Sequence, residues 1–194
     1  MTTTFPHLLL QHAAQRPQAP ALREKEYGIW QTWSWSEAAQ TVRHMACGLA
    51  ALGLARGQNL AFISDNRPHV YMGFLAVQAC GAVPIPLYQD AVAAEMRFVM
   101  EDAEIAFAFA ENQEQVDKLL EVRESVRGLG HIIYDDPRGL RKYEQPGLIS
   151  TEELLAKGKE WDAQHAGAYE AMVQAVSPDD VSVILYTSGT TGKP

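Results

Sequence analysis

Cysteine is scarce. Two thiols, Cys47 and Cys80, occur in 194 residues, too few for a disulfide framework and at no metal-ligand spacing. Both fall in apolar helical patterns, the habit of buried free thiols in a reducing compartment. Positive charge is scarce too. The 16 Lys and Arg stand against 24 Asp and Glu, a formal net charge of −8. That balance argues against a nucleic-acid partner and against binding to an anionic membrane by bulk charge. It leaves room for a local anion site built from backbone N–H groups. No apolar run is long enough to cross a bilayer. Met1–Phe5 shows no basic region leading into an apolar stretch, so no signal peptide is expected. Internal repeats and low-complexity segments are missing. None of the histidines, His7, His12, His44, His69, His131 and His165, sits with a Cys or a second His at ligand spacing on one helix face. The expected location is the cytoplasm, free or peripheral to a membrane.

What is present is an apolar-rich chain, 47% hydrophobic, enough for a substantial core. A short helix is expected around Leu8–Ala14. Ala21–Arg23 and Ile29–Trp33 flank a turn at Tyr27-Gly28 and read as a hairpin. Trp30, Trp33 and Trp35 alternate, as in a strand with aromatic cross-strand partners. Ser34-x-x-Glu37 fits a capping box opening a helix with Ala38, Val42, Met45, Ala46, Leu49 and Leu52 on one face, closed by Gly53. Then strand and helix alternate: Asn59–Ser64 extended, a helix from Pro68 to about Cys80, Ala82–Pro86 extended, Val92–Asp102 helical, Ile105–Ala110 extended. Asn112 caps a helix bearing Val116, Leu119, Leu120 and Val126, with the charges from Glu111 to Arg127 as its solvated face. His131–Tyr134 is strand-like, and 135–148 is a proline- and glycine-bearing loop. Ser150-x-x-Glu153 is a second capping box, opening a helix to about Trp161. Pro178-Asp179-Asp180 is a turn, and Val181–Tyr186 an apolar strand. The fold class that follows is α/β, a mostly parallel sheet with helices on both faces. Ligands of such sheets bind outside the carboxyl ends of the strands.

The last strand leads into the most unusual segment, Tyr186-Thr187-Ser188-Gly189-Thr190-Thr191-Gly192-Lys193-Pro194. Every residue from Thr187 to Gly192 is Thr, Ser or Gly. Glycine allows positive φ, so successive N–H groups can point at one anion. Hydroxyls add donors and can ligate a hard cation, and Lys193 adds charge. A flexible linker is a competing reading, weakened by the apolar segment directly before it. A P-loop needs four residues between its glycines and a helix after the lysine. Here two residues separate Gly189 from Gly192, and Pro194 pushes Lys193 away from the helical region.

The segment closely resembles the phosphate-binding loop of the AMP-forming adenylate synthetase/ligase superfamily, Tyr-Thr-Ser-Gly-Thr-Thr-Gly-x-Pro-Lys-Gly, matching at every position present. Asn66-Arg67-Pro68 and Gly81-Ala82-Val83-Pro84-Ile85-Pro86-Leu87-Tyr88 resemble a second landmark, most like the long-chain fatty acyl-CoA synthetase branch. So does the stretch from Ile132 to Trp161, with Tyr134-Asp135-Asp136-Pro137-Arg138-Gly139-Leu140. The resemblance covers essentially the whole chain. It implies that 1–194 is part of an AMP-binding (adenylation) N-terminal domain, truncated within the loop at 186–194. The implied parent reaction joins a carboxylic acid, here a fatty acid, to ATP, giving an acyl-adenylate and diphosphate, then passes the acyl group to coenzyme A with Mg²⁺ assisting. In that reading Thr187, Ser188, Thr190 and Thr191 donate to phosphate oxygens. Gly189 and Gly192 supply N–H groups, Lys193 supplies charge, and Tyr186 anchors the loop. No catalytic residue or metal ligand is expected in this chain, since the family's magnesium-binding Glu, ribose-binding Asp and adenylation Lys follow the loop. The chain alone is therefore expected to be inactive. A non-catalytic remnant or interaction module of the same fold, and another adenylate-forming ligase such as an aryl-CoA ligase, remain open. Self-association through an exposed sheet edge is a further expectation.

Overall fold

The structure, a computed structural model, describes residues 3–187. It divides into two compact units. The first comprises the residues up to Arg56 with Asn66–Gly81 and Leu154–Asp180; the second comprises Gly57–Asp65, Ala82–Glu153 and the residues from Val181 onward.

The first unit is mainly helical. α1 (Phe5–Gln15) precedes a hairpin of β1 (Pro20–Glu26) and β2 (Ile29–Ser34), then α2 (Trp35–Ala51). Tyr27 and Gly28 both take positive φ, 48° and 81°, the pattern of a type I′ turn. The expected aromatic cross-strand pairing does not occur. Trp33 lies opposite Leu22 and Trp30 opposite Lys25, Arg23 sits over the Trp30 ring, and Trp35 starts α2. The capping box starting α2 is present: the Ser34 N–H donates to Glu37 Oε2 at 2.8 Å, and the Glu37 N–H donates to Ser34 Oγ at 3.3 Å. α3 (Pro68–Ala79) packs on α2 and begins with its proline, which has no N–H to leave unsatisfied in a first turn.

α6 (Thr151–Gln164) crosses α2 at a pair of glycines. A β-carbon on Gly158 would overlap the His44 carbonyl oxygen, and one on Gly48 would overlap that of Leu154. Only hydrogen side chains let the two backbones come so near. Nearby, Arg43 donates from Nε and Nη2 to Asp162 at 2.6 and 2.8 Å, pairs with Glu170 and lies over the Tyr169 ring. Tyr169 and Glu170 belong to α7 (Ala168–Ala175), a helix the sequence reading passes over.

The second unit is the five-stranded parallel sheet of the expected α/β fold. Its strands are β3 (Asn59–Ile63), β4 (Val83–Leu87), β5 (Ile105–Ala110), β6 (His131–Tyr134) and β7 (Leu148–Ser150), in the order β4-β3-β5-β6-β7. Both faces of β3 are buried: Ala61 and Ile63 on one, Leu60 and Phe62 on the other. This is why its sequence is continuously apolar rather than alternating. α4 (Ala93–Asp102) and α5 (Gln113–Arg123) flank the sheet, contributing Met96, Val99, Met100, Val116 and Leu119 to its core. β7 emerges from the end of the expected loop 135–148. With three residues it carries no readable period, and pairing with β6 creates it. No helix among the described residues is long and apolar enough to cross a membrane.

Two expectations need correction. Glu111 is not on a solvated helix face. It precedes α5, is 8% exposed, and its Oε2 accepts from the Asp65 N–H at 2.7 Å and the Ser64 hydroxyl at 3.3 Å. Val181–Tyr186 is not a strand: residues 181–187 carry no regular secondary structure.

Candidate functional site

Residues 181–187 form the stem of the candidate phosphate loop, and the prolines of β4 explain why the stem is no strand. The Ile184 N–H donates to the Pro84 carbonyl at 3.4 Å, whereas the Val83 N–H turns the other way, to Gln58. Alternate residues of a strand direct their backbone groups to opposite sides, so Pro84 and Pro86 face the stem. Proline has no N–H, and that side of β4 offers carbonyls without the donors a full ladder needs.

Side chains hold the stem instead. Ile184 and Tyr186 pack against the core of the sheet unit, while Val181, Val183 and Leu185 are exposed. The Tyr186 hydroxyl donates to Asp102 Oδ2 at 2.6 Å. Burial, together with that bond to a carboxylate, pushes the Tyr186 phenol up to about 12, so it keeps its proton at neutral pH. Asp102 ends α4, three residues before β5 begins at Ile105. Tyr186 thus has a named partner, but at the amino end of β5, not at the carboxyl ends of the strands where ligands of such a sheet are expected. Of the loop residues, Thr187 is exposed directly after this anchor. Ser188, Gly189, Thr190, Thr191, Gly192 and Lys193 lie outside the described residues.

At the carboxyl ends of the strands, Glu111 ties β5 to the turn after β3, as described above. Gln89 Nε2 donates to Asp65 Oδ1 at 2.7 Å, and Lys118 Nζ donates to the Gln89 carbonyl at 2.7 Å. The cluster is stitched by its own hydrogen bonds. Nothing in the sequence separated Glu111 from the helical charges that follow it, because a carboxylate just before an N-cap fits either role.

The second landmark is structural. Arg67 Nη1 donates to Glu24 of β1 at 2.8 Å, and Asn66 Oδ1 accepts from the Tyr71 hydroxyl at 3.2 Å. Asp180 serves its turn as expected: its carboxylate accepts from the Ser177 N–H at 2.8 Å and pairs with Arg56. The Ser177 N–H and Arg56 together hold that carboxylate below its usual range. Among the described residues no three His, Cys, Asp or Glu side chains are grouped to hold a metal ion. Both cysteines are free thiols, and burial pushes each up to about 12.

A family model described as "AMP-binding enzyme" matches residues 9–194. A long-chain-fatty-acid–CoA ligase of Mycobacterium bovis is 27% identical over 191 residues, 96% of this chain and 29% of that protein. A long-chain-fatty-acid–CoA ligase of Bos taurus is 25% identical over 175 residues, 90% of this chain and 23% of that protein. The chain therefore spans under a third of the length of these relatives. Among solved structures, acetoacetyl-CoA synthetase from Streptomyces lividans superposes with a TM-score of 0.75 at 23% identity, covering 100% of this chain and 29% of that one. An anthranilate CoA ligase bound to anthranoyl-AMP gives 0.76 at 15% identity, covering 100% of this chain and 34% of that one. At such identities the structural matches speak for the fold, while the family match runs through the candidate loop itself: the chain belongs to the AMP-binding enzyme family.

Proposed function

We propose that this chain supplies the ATP-phosphate-binding segment of an AMP-forming acid–thiol ligase whose carboxylic acid is a fatty acid. The observation that carries the reading is the run Thr187–Gly192, all hydroxyl and glycine, following directly on a stem fastened to the sheet unit through Ile184 and Tyr186. Such a run offers many donors in a short length, and hydrogen bonds to charged oxygens contribute about 1.5–3 kcal/mol each. In the reaction, a carboxylate oxygen displaces diphosphate from ATP to form the acyl-adenylate, and the thiol of coenzyme A then displaces AMP. Thr187, Ser188, Thr190 and Thr191 would hold the departing phosphates, Gly189 and Gly192 would present N–H groups, and Lys193 would offset charge. This is positional and electrostatic catalysis with no covalent nucleophile from the protein. Mg²⁺, which the family chemistry implies, would neutralise phosphate charge.

The fatty-acid assignment is supported by the names of the Mycobacterium and Bos relatives. Two free thiols fit a cytoplasmic setting. The chain by itself would bind ATP weakly and turn nothing over. If a second copy pairs at a sheet edge, β7 is the candidate, because β4 lacks outward donors.

Isothermal titration of the chain with Mg·ATP tests the loop. The expected result is saturable binding that weakens by about tenfold or more when Ser188, Thr190 and Thr191 are all changed to Ala. No binding by the wild type, or equal binding by the triple variant, overturns the reading. ATP–diphosphate exchange catalysed by the chain would overturn its inactivity.

A further inference from the structure

We propose that Asp102 is a positioning residue for the phosphate loop, acting through Tyr186. The inference rests on the function proposed above and concerns what holds that loop in place.

Asp102 is badly placed as a helix residue. It closes α4 in the last turn, where carbonyl dipoles leave partial negative charge and a carboxylate is unfavourable. The last turn of α4 holds Glu101 and Asp102 and no basic residue. Glu101 is offset by Arg97, whose Nε donates to it at 2.9 Å one turn earlier. The carboxylate of Asp102 instead receives the Tyr186 hydroxyl at 2.6 Å. An acid kept where the helix disfavours it, and bonded across 84 positions of sequence, serves the stem and not α4.

The mount is rigid. Met96 and Met100 of α4 are 0% exposed within the core of the sheet unit. The Ala103 carbonyl, just beyond Asp102, accepts from Asn59 Nδ2 of β3 at 2.6 Å. Beyond the one Ile184 N–H bond to Pro84, the stem depends on side chains, since β4 offers it no N–H at Pro84 or Pro86. Tyr186 is the residue immediately before Thr187, so a shift at Tyr186 passes straight to the first loop hydroxyl. The Tyr186–Asp102 bond thus fixes the backbone that presents Thr187, which then has less freedom to lose on meeting phosphate.

The test compares Asp102→Ala, Asp102→Asn and Tyr186→Phe in the whole 194-residue chain, reading Mg·ATP affinity, thermal melting and the ultraviolet titration of tyrosine. Asp102→Ala and Tyr186→Phe are each expected to weaken Mg·ATP binding about tenfold, and the double variant no further than either alone. Asp102→Asn keeps an acceptor oxygen and is expected to hold wild-type affinity, while the Tyr186 phenol, read as the difference between the titrations of a protein and its Tyr186→Phe counterpart, gives up its proton more readily. A lowered melting temperature with unchanged affinity in Asp102→Ala makes the contact structural only and overturns the proposal. Additive losses in the double variant also overturn it. A wild type that binds no Mg·ATP sinks the loop assignment itself and the positioning role with it. That failure is distinguishable, because the difference titration against Tyr186→Phe still reports the Tyr186–Asp102 bond.

Discussion

Changing Gly158 to Ala sets two opposed effects against each other, and the structure decides between them. In an exposed helix interior the change is favourable by about 1 kcal/mol, because alanine loses less backbone freedom on folding. Here the added carbon would overlap the His44 carbonyl oxygen and sit 2.7 Å from the Gly48 nitrogen. Comfortable separations for such atoms are about 3.5 Å. Both obstacles are backbone of α2, so no side chain can swing aside and α6 must move off as a body. Overpacking of this kind costs about 1–3 kcal/mol, sometimes more, and a gap of even 0.5–1 Å forfeits about a quarter to a half of the dispersion along the crossing. With the overlap this deep, the upper end applies, leaving a net loss of about 2 kcal/mol. For a chain of this size that lowers the melting temperature by about 4–8 °C. Differential scanning calorimetry of Gly158→Ala beside the exposed neighbour Lys157→Ala gives the comparison. The neighbour should stay within about 0.5 kcal/mol of wild type. A Gly158→Ala protein melting at or above wild type would refute the backbone-contact account of the crossing.

Three further outcomes are expected. Arg43 holds the Asp162 carboxyl below its usual value, so this pair adds stability above the unfolded carboxylate value of about 3.9 and loses it as pH falls through the lower folded value. Circular-dichroism melts of Arg43→Met should lose about 1–3 kcal/mol near neutrality and show a shallower acid decline, and an unchanged acid slope would contradict the pairing. Glu111→Ala strips the Asp65 N–H of its acceptor and should cost about 1–3 kcal/mol in urea unfolding, with Glu111→Gln losing less; equal losses from the two would show that the bond is idle. Cys47 and Cys80, with thiols pushed up to about 12, should react slowly with a disulfide reagent at pH 8 and rapidly once unfolded, so fast native labelling of the buried Cys47 would count against its burial.

Much of the fold was readable because local chemistry and long-range packing agree. Ser34-x-x-Glu37 and Ser150-x-x-Glu153 both form the reciprocal hydrogen bonds their spacing implies. The strands from Asn59, Ala82, Ile105 and His131 lie close to their expected places, since buried parallel strands are written as unbroken apolar runs. What escaped depends on partners. β7 is three residues long and exists through β6. Val181–Tyr186 has the apolar character of a strand, but the neighbouring edge withholds the donors that would make it one. Glu111 looks like a surface charge until the turn after β3 supplies its N–H. At the candidate loop the motif itself was fully visible, whereas Asp102, 84 positions from Tyr186, carried no sign that it held the loop's stem.

The prolines of β4 reach beyond the stem. Open sheet edges are where foreign strands dock and where fibrils nucleate, because each added strand both gives and receives hydrogen bonds and so templates the next. A strand arriving at the outer side of β4 would find an acceptor at Pro86, the Pro84 carbonyl being taken by the Ile184 N–H, and would receive nothing back. Cross-β growth would stall at its first layer there, whatever the apolar character of the residues between, so two imino acids at alternate positions act as gatekeepers of this flank.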